Sequence, residues 1–385
     1  MKFEFFMPGR IIVERGGLAR LGEFVAGLGK KVLVVHNGPA LLQRVEKELG
    51  AISFEVYRQK GEPTVESVSE ALALARAGGC EVLIGIGGGS AVDTAKATAA
   101  LLGNGGEPLD YMEVVGRGKK ITHPSYPWIA VPTTAGTGAE ATRNAVVGYH
   151  AKQFKASIRS ELMLPRLALL DAELAVGVPK RVTAASGADA LCQVIEAYTS
   201  VNANPITDGL ALEGIARAGR SLRRAYDNGS DLDAREDMAI TALLSGIALT
   251  NAGLGAVHGF AAPMGGSFTV PHGVVCAALL PHVIRMNVRA LRERQAASAV
   301  LGKYAAVGRT LTGRRELADE RAVDAAVEFI QEMTAYMQIP RLREFGITGA
   351  AVVPMVELAK KSSSMRYNPV ILTDDELAGV LWAAL

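Results

Sequence analysis

A chain of 385 residues is long enough for two or three domains, each with its own core. With 21% charged, 49% hydrophobic and 5% aromatic residues, it has neither a disordered nor a collagen-like nor a coiled-coil composition. Forty-one Lys and Arg against 39 Asp and Glu leave a net charge of +2, and no basic stripe interleaves with aromatics, so no nucleic-acid partner is expected.

The first segment, FEFFMPGRIIVE at 3–14, places two apolar runs about a Pro8-Gly9 turn signal and reads as a β-hairpin or edge ribbon. It lacks the basic start and long apolar stretch of a signal peptide. KVLVV at 31–35 is a continuous β-branched run, as in a strand covered on both faces, followed by Asn37-Gly38 and a helical stretch. The alternation continues with a strand near 53–57, a helix over 65–77, a strand over 82–86, a helix over 91–102 and a strand near 129–131. Strands and helices in turn predict an α/β N-terminal domain with a doubly wound, mostly parallel, Rossmann-like sheet. Residues 165–179 read as the connection. Beyond about 180, Ala- and Leu-rich stretches at helical spacing, such as Leu210, Leu212, Ile215, Ala218 and Leu222, predict an all-α C-terminal domain. The expected division is 1–180 and 181–385.

From Met238 to Ile284 there is no charged residue, more than a bilayer-spanning helix requires. Asn251, His258, Pro263, Pro271, His272 and several glycines interrupt it with polar groups that lipid would leave unpaired, so buried helices around a site are expected and no membrane span. Cys80, Cys192 and Cys276 are far apart with no C-x-x-C, against a disulfide framework or zinc knuckle and consistent with a reducing cytoplasm.

Gly87-Gly88-Gly89-Ser90 lies between an apolar strand and a helix, where glycines admit a ligand to the backbone and free amides favour a phosphate. The other reading is a plain turn in which Ser90 and Asp93 form a capping box. A second polar turn, PTTAGTGAE at 132–140, follows the next strand, and two such loops suit a nucleotide across a switch-point crevice. In the helical half, Asp189, Gln193 and Glu196 share one helix face. Ser186 and Asp189 also fit a helix start, and Glu196 fits an ordinary surface acid, a reading favoured on these residues alone. His258 and His272 need partners or a metal if buried, although each alone is more often a satisfied core residue. Leu249, Phe260, Met264 and Phe268 suit an apolar pocket or core equally.

In order, GGGSAVDTAK at 87–96, PTTAGTGAEAT at 132–142, Lys155, Pro165, GADALCQVIEAY at 187–198, GLGAVHGFAAPMGG at 253–266, PHGVVCAALLPHV at 271–283 and Asn368-Pro369 resemble the iron-containing (group III) alcohol dehydrogenases. The resemblance runs the length of the chain and implies a dehydroquinate synthase-like fold, with a nucleotide-binding α/β half, a helical half and the active site in the cleft between. It implies that Gly88, Gly89 and Ser90 hold the pyrophosphate of NAD or NADP, with Asp93 supporting the loop. Thr133, Thr134, Thr137 and Lys155 would line the rest of the cofactor site, and Asn144 would stand near nicotinamide and substrate. The family's divalent metal is held by an aspartate and three histidines. Asp189, His258 and His272 match, Gln193 occupies the fourth position, and a further histidine near the metal is replaced by Ala262.

The function so implied is hydride transfer between a nicotinamide and a small alcohol or aldehyde, with Fe²⁺ or Zn²⁺ polarising the substrate oxygen if bound. The rivals are a sugar-phosphate cyclase of the dehydroquinate synthase type, a metal-independent reductase and a nucleotide-binding protein without activity. A carboxamide at 193 is a weaker ligand than imidazole, so the metal is expected to bind more weakly than in four-ligand relatives. Asn37, where NAD-selective relatives carry an aspartate, predicts use of both NAD and NADP. The apolar N-terminal ribbon predicts a homo-oligomer built on a dimer.

Overall fold

The structure, a computed structural model, describes residues 2–152 and 154–385. Its contacts divide into two compact units: Phe6–Thr134 with Gly138–Val176, and Gly177–Leu385 with Ala135–Thr137 and the chain up to Phe5.

In the α/β unit, β1 (Ile11–Val13), β2 (Lys31–His36), β3 (Ser53–Arg58), β4 (Val82–Gly87), β5 (Trp128–Pro132) and β8 (Leu167–Leu170) form one sheet in the order β1-β8-β5-β4-β2-β3. Every pairing in it is parallel. A parallel sheet needs cover on both faces, and the residues provide for it: β4 is buried throughout and β2 at all but its first residue, whereas the edge strand β3 has no fully buried residue. From β2 the chain runs outward to β3 and returns to β4 on the other side, so the switch point lies between the C-terminal ends of β2 and β4. Around the sheet lie α1 (Leu21–Ala26), α2 (Pro39–Leu49), α3 (Val65–Gly78), α4 (Gly89–Asn104) and the single turn α5 (Pro108–Tyr111). Small residues let α4 close on the sheet, since a Cβ at Gly85 would stand 2.9 Å from the Ala95 methyl.

Two features differ from expectation. Of the two readings of the N-terminal segment, the hairpin does not form, whereas β1 does lie at the edge of the sheet, parallel to β8. Gly9 N–H donates to Pro165 O and Glu14 N–H to Leu170 O, so the backbone polar groups of the segment find β8 and Pro8-Gly9 leads into the strand without reversing the chain. Conversely, β6 (Asn144–Tyr149) and β7 (Phe154–Arg159) form an antiparallel pair that the sequence reading passed over.

The second unit is helical: α6 (Lys180–Thr199), α7 (Pro205–Asp227), α8 (Leu232–Ala252), α9 (Ala256–Ser267), α10 (His272–Arg294), α11 (Ala299–Thr312), α12 (Asp319–Tyr336), α13 (Val352–Ala359) and α14 (Asp374–Ala384). Leu191, Ile195, Ile215, Leu222, Val257, Leu279 and Ile330 belong to one buried apolar cluster spanning most of these helices. The uncharged stretch 238–284 becomes the end of α8, all of α9 and the start of α10, with a bend of 102° between α8 and α9. By length and composition α10 could cross a bilayer, but 72% of its most apolar window is buried inside the protein, so its hydrophobicity is used in this core. Phe260 and Met264 are buried in the same cluster and Phe268 packs against it, which assigns these three residues to core.

Candidate active site

At the switch point, β4 ends in Gly87 with φ 144°, a conformation that favours glycine, and Gly88 caps α4 in an extended conformation. A Cβ on Gly87 would collide with the Asn37 carboxamide, and one on Gly88 would stand 3.5 Å from Asn37 Nδ2 and 3.6 Å from Thr134 Oγ1. The glycines therefore keep open a cradle that β2, β4 and β5 each help to line. Thr133 N–H donates to Gly87 O at 2.8 Å, tying the threonine turn to the glycine turn. No acidic residue lies in the first turn of α4, whose leading amides and dipole are thus available to an anion.

The alternative reading of this turn, a Ser90–Asp93 capping box, is not met, because α4 begins one residue before Ser90. Asp93 instead accepts from Val146 N–H at 3.1 Å and from Lys96 Nζ at 2.9 Å. Lys96, fully buried, also donates to Thr142 Oγ1 at 2.8 Å and to Asn144 O at 2.7 Å. This network fixes the loop to β6, where Asn144 Nδ2 donates to Ser157 Oγ at 3.4 Å. Lys155 is exposed on β7 opposite Gly148, and the exposed Thr137 belongs to the tripeptide that groups with the helical unit. Beside the network, Glu140 is buried with Oε1 lacking a partner, and burial pushes its carboxyl up to about 7.

In the helical unit, three helices converge. Asp189 lies midway along α6, which starts at Lys180, so Ser186 opens no helix and its Oγ donates to Val182 O inside it. Gly273, second in α10, has no room for a Cβ against the Ala185 carbonyl, and this close approach brings His272 beside Asp189, Nε2 to Oδ1 3.6 Å. His258, in the first turn of α9, places Nε2 3.2 Å from the same oxygen.

Glu196 is no surface acid. It is buried at 5% exposure and accepts from Val257 N–H at 2.7 Å, from His258 N–H at 3.4 Å and from His258 Nδ1–H at 2.6 Å. Its carboxylate caps α9, helped by Asn368 Oδ1 on Ala256 N–H at 3.1 Å. Gly255 leaves room for both, since a Cβ there would meet Glu196 Oε1 at 2.8 Å. With Nδ1 committed to Glu196, His258 aims Nε2 at the cluster. Burial opposes a charged His258, but Cys276 and the Asp189 and Glu196 carboxylates outweigh it and hold the imidazole well above its usual range. Burial likewise works against the Asp189 carboxylate, and His272 and His258 pull it below its usual range.

Gln193 turns its amide nitrogen to Asp189 Oδ2 at 3.3 Å and accepts from Ser245 Oγ at 2.7 Å through its oxygen. A carboxylate only accepts, so this orientation follows from Asp189. Ala262 is exposed on α9. One ligand atom each from Asp189, His258, His272 and Cys276 lies within 4.8 Å of all the others, a donor set that fits a divalent ion. The sequence reading missed Cys276 and undervalued Glu196. The signals were there, Cys276 four residues after His272 and Glu196 seven after Asp189, but neither spacing shows which face is buried.

A nucleotide-type turn and a buried carboxylate–imidazole cluster are the parts of a nucleotide-dependent oxidoreductase. The chain matches the model of the iron-containing alcohol dehydrogenases over residues 8–172 and the C-terminal model of that family over 183–385, and it belongs to this family. It is 34% identical to alcohol dehydrogenase 4 of Schizosaccharomyces pombe, over 99% of this chain and 89% of that one. With 1,3-propanediol dehydrogenase of Klebsiella pneumoniae it shares 37%, over 98% and 97% of the two chains. The crystal structure of a 1,3-propanediol oxidoreductase superposes with a TM-score of 0.91 at 32% identity, covering 100% of both chains. The protein is thus an oxidoreductase acting on CH–OH groups with NAD, and the matches favour dehydrogenase over cyclase chemistry on this fold.

Proposed function

We propose that this chain interconverts a small primary alcohol and its aldehyde, using NAD or NADP held at the β2–β4 switch point and a divalent ion, Fe²⁺ or Zn²⁺, held by Asp189, His258 and His272. The observation that carries the reading is the convergence of these three side chains from three helices, with Glu196 fixing the ring of His258. The nicotinamide supplies or accepts the hydride, and the ion supplies Lewis acidity toward the substrate oxygen.

The chain's own groups do the rest. The amides of Gly88, Gly89 and Ser90 at the start of α4 bind the pyrophosphate, and Asp93 with Lys96 keeps that turn registered on β6. Thr133, Thr134, Lys155 and Asn144, all in the α/β unit, are assigned to the remainder of the cofactor site. Asn37, beside Gly87 and Gly88, can hydrogen-bond a ribose hydroxyl and, being neutral, does not repel a 2′-phosphate. Hence NAD and NADP are both expected to serve, with kcat/KM values within about a hundredfold, roughly 2.7 kcal/mol, of each other. His272, with its side chain 44% exposed, is the group of the cluster open to water, which relays the alcohol proton where Ala262 offers no imidazole. A reducing cytoplasmic location suits three free, buried cysteines.

The test is absorbance at the reduced-nicotinamide band with a panel of aldehydes and alcohols and both cofactors. Protein as purified, chelator-treated and reloaded with Fe²⁺, Zn²⁺ or Mn²⁺ is compared, with elemental analysis alongside. Turnover lost with chelator and restored by one ion is expected; turnover indifferent to chelator would remove the ion from the reading, and none with any aldehyde would overturn it.

A further inference from the structure

We propose that Cys276 supplies the fourth protein ligand of the divalent ion, as thiolate, in place of the imidazole absent at position 193. The proposal rests on the reading of Asp189, His258 and His272 as a metal site. A tetrahedral ion with metal–nitrogen and metal–oxygen bonds near 2.0 to 2.2 Å and a metal–sulfur bond near 2.3 Å spaces its ligand atoms about 3.3 to 3.6 Å apart. Here His258 Nε2 to Asp189 Oδ1 is 3.2 Å, His272 Nε2 to Asp189 Oδ1 is 3.6 Å and Cys276 Sγ to His258 Nε2 is 3.7 Å. These are three of the six edges of such a polyhedron, and the other three separations lie within 4.8 Å.

Position and competition single out this sulfur. His272 and Cys276 are four residues apart on α10, so both project toward α6 from successive turns. The only oxygen of the Gln193 carboxamide is occupied by Ser245, and its nitrogen is a donor already directed at Asp189. Cys192 is also near His258, but its Sγ stands 4.0 Å from Nδ1, the nitrogen committed to Glu196. The 2.6 Å separation of Nδ1 and Glu196 Oε2 is too short to hold an ion between them, so the second cluster, Cys192, Glu196 and His258, is not a site. Cys276 faces Nε2, the nitrogen of His258 that is not committed to Glu196 and that already points at Asp189 Oδ1. On coordination its Sγ–H proton passes to solvent and the sulfur binds the ion. Thiolate favours Zn²⁺, Co²⁺ and Fe²⁺ over Mn²⁺ or Mg²⁺. A complete set of four ligands also replaces the expectation of weak metal retention drawn from Gln193.

The test uses the full chain, stripped with chelator and reloaded with Co²⁺ as a spectroscopic probe. A near-ultraviolet thiolate-to-cobalt charge-transfer band is expected in wild type and in Cys192→Ser, and none in Cys276→Ser or Cys276→Ala. Competition with a chromophoric chelator should show Zn²⁺ binding at least about tenfold weaker in both Cys276 variants, with circular dichroism verifying their fold. Wild type that binds Co²⁺ and Zn²⁺ without the band, and keeps its Zn²⁺ affinity in Cys276→Ala, would overturn the role of Cys276 and leave the three-residue site standing. Wild type that binds neither ion more tightly than Asp189→Asn would overturn the metal site itself, and the fourth ligand with it.

Discussion

Glu196 shows how much a single side chain can carry that its identity does not reveal. One carboxylate holds two amides of the first turn of α9 and the Nδ1 proton of His258, so it caps a helix and sets the aim of the His258 imidazole together. Glu196→Gln keeps the volume but offers one acceptor oxygen and turns an NH₂ toward a donor. The expected outcome is about 10- to 100-fold weaker Zn²⁺ binding by chelator competition, together with a loss of about 1–3 kcal/mol in chemical denaturation. Glu140 gives the opposite case, a carboxyl that the fold would hold more easily as a neutral group. Its folded value is about 7 against 4.5 for the free group, so between these limits the folded chain binds more protons than the unfolded one. Stability should therefore fall as pH rises from about 4.5 to about 7, by roughly 3 kcal/mol at most from this residue. Glu140→Gln should flatten that slope and raise the melting temperature at pH 7; an unchanged slope would mean that ionised Glu140 is well accommodated.

Among the elements, those with a strong and local cause could be read in advance. KVLVV and the strand before Gly87 are apolar runs that only a covered parallel strand explains, and both appear as β2 and β4 at the expected places. What failed depended on partners remote in sequence. The N-terminal run found β8, some 155 residues later, and not its own neighbour. The pair β6–β7 was legible in part: β7, FKASIR, alternates apolar and polar residues strictly and was passed over, whereas β6, NAVVGY, is mostly apolar without alternation. Ser90 and Ser186 satisfied a capping pattern but lie inside helices that begin earlier. The candidate site was legible as residue types in order, whereas burial of Glu196 and the facing of Cys276 follow from how α6, α9 and α10 pack. That packing turns on Gly273, where a Cβ would overlap the Ala185 carbonyl. Gly273→Ala should force α10 away from α6, costing about 1–3 kcal/mol and releasing bound metal. Gly302→Ala in α11 meets nothing within 4 Å and should be neutral or stabilise by up to about 1 kcal/mol, so paired melting curves separate crowding from helix propensity.

For the molecule as a whole, the consequence of β1's place in the sheet is an edge that no strand among the described residues pairs. β1 hydrogen-bonds β8 on one side, with Arg10 O accepting from Ala168 N–H and Glu14 N–H donating to Leu170 O. Alternation along a strand then turns the N–H and C=O groups of Ile11 and Val13 to the other side. Val13 is 42% exposed there, and Met7, before it in the same unit, is 48% exposed. A strand edge flanked by exposed apolar side chains, without a lysine or proline within β1 to blunt it, is suited to pairing with a second copy of the chain about a two-fold axis. We accordingly expect a homo-oligomer built on a dimer. Val13→Pro removes an outward N–H while leaving the Arg10 and Glu14 bonds to β8, so it should shift light-scattering mass from dimer to monomer at micromolar concentration with little change in circular dichroism. Wild type that is already monomeric under those conditions would refute the assembly. A Val13→Pro variant that stays dimeric would place the contact on another surface of the molecule.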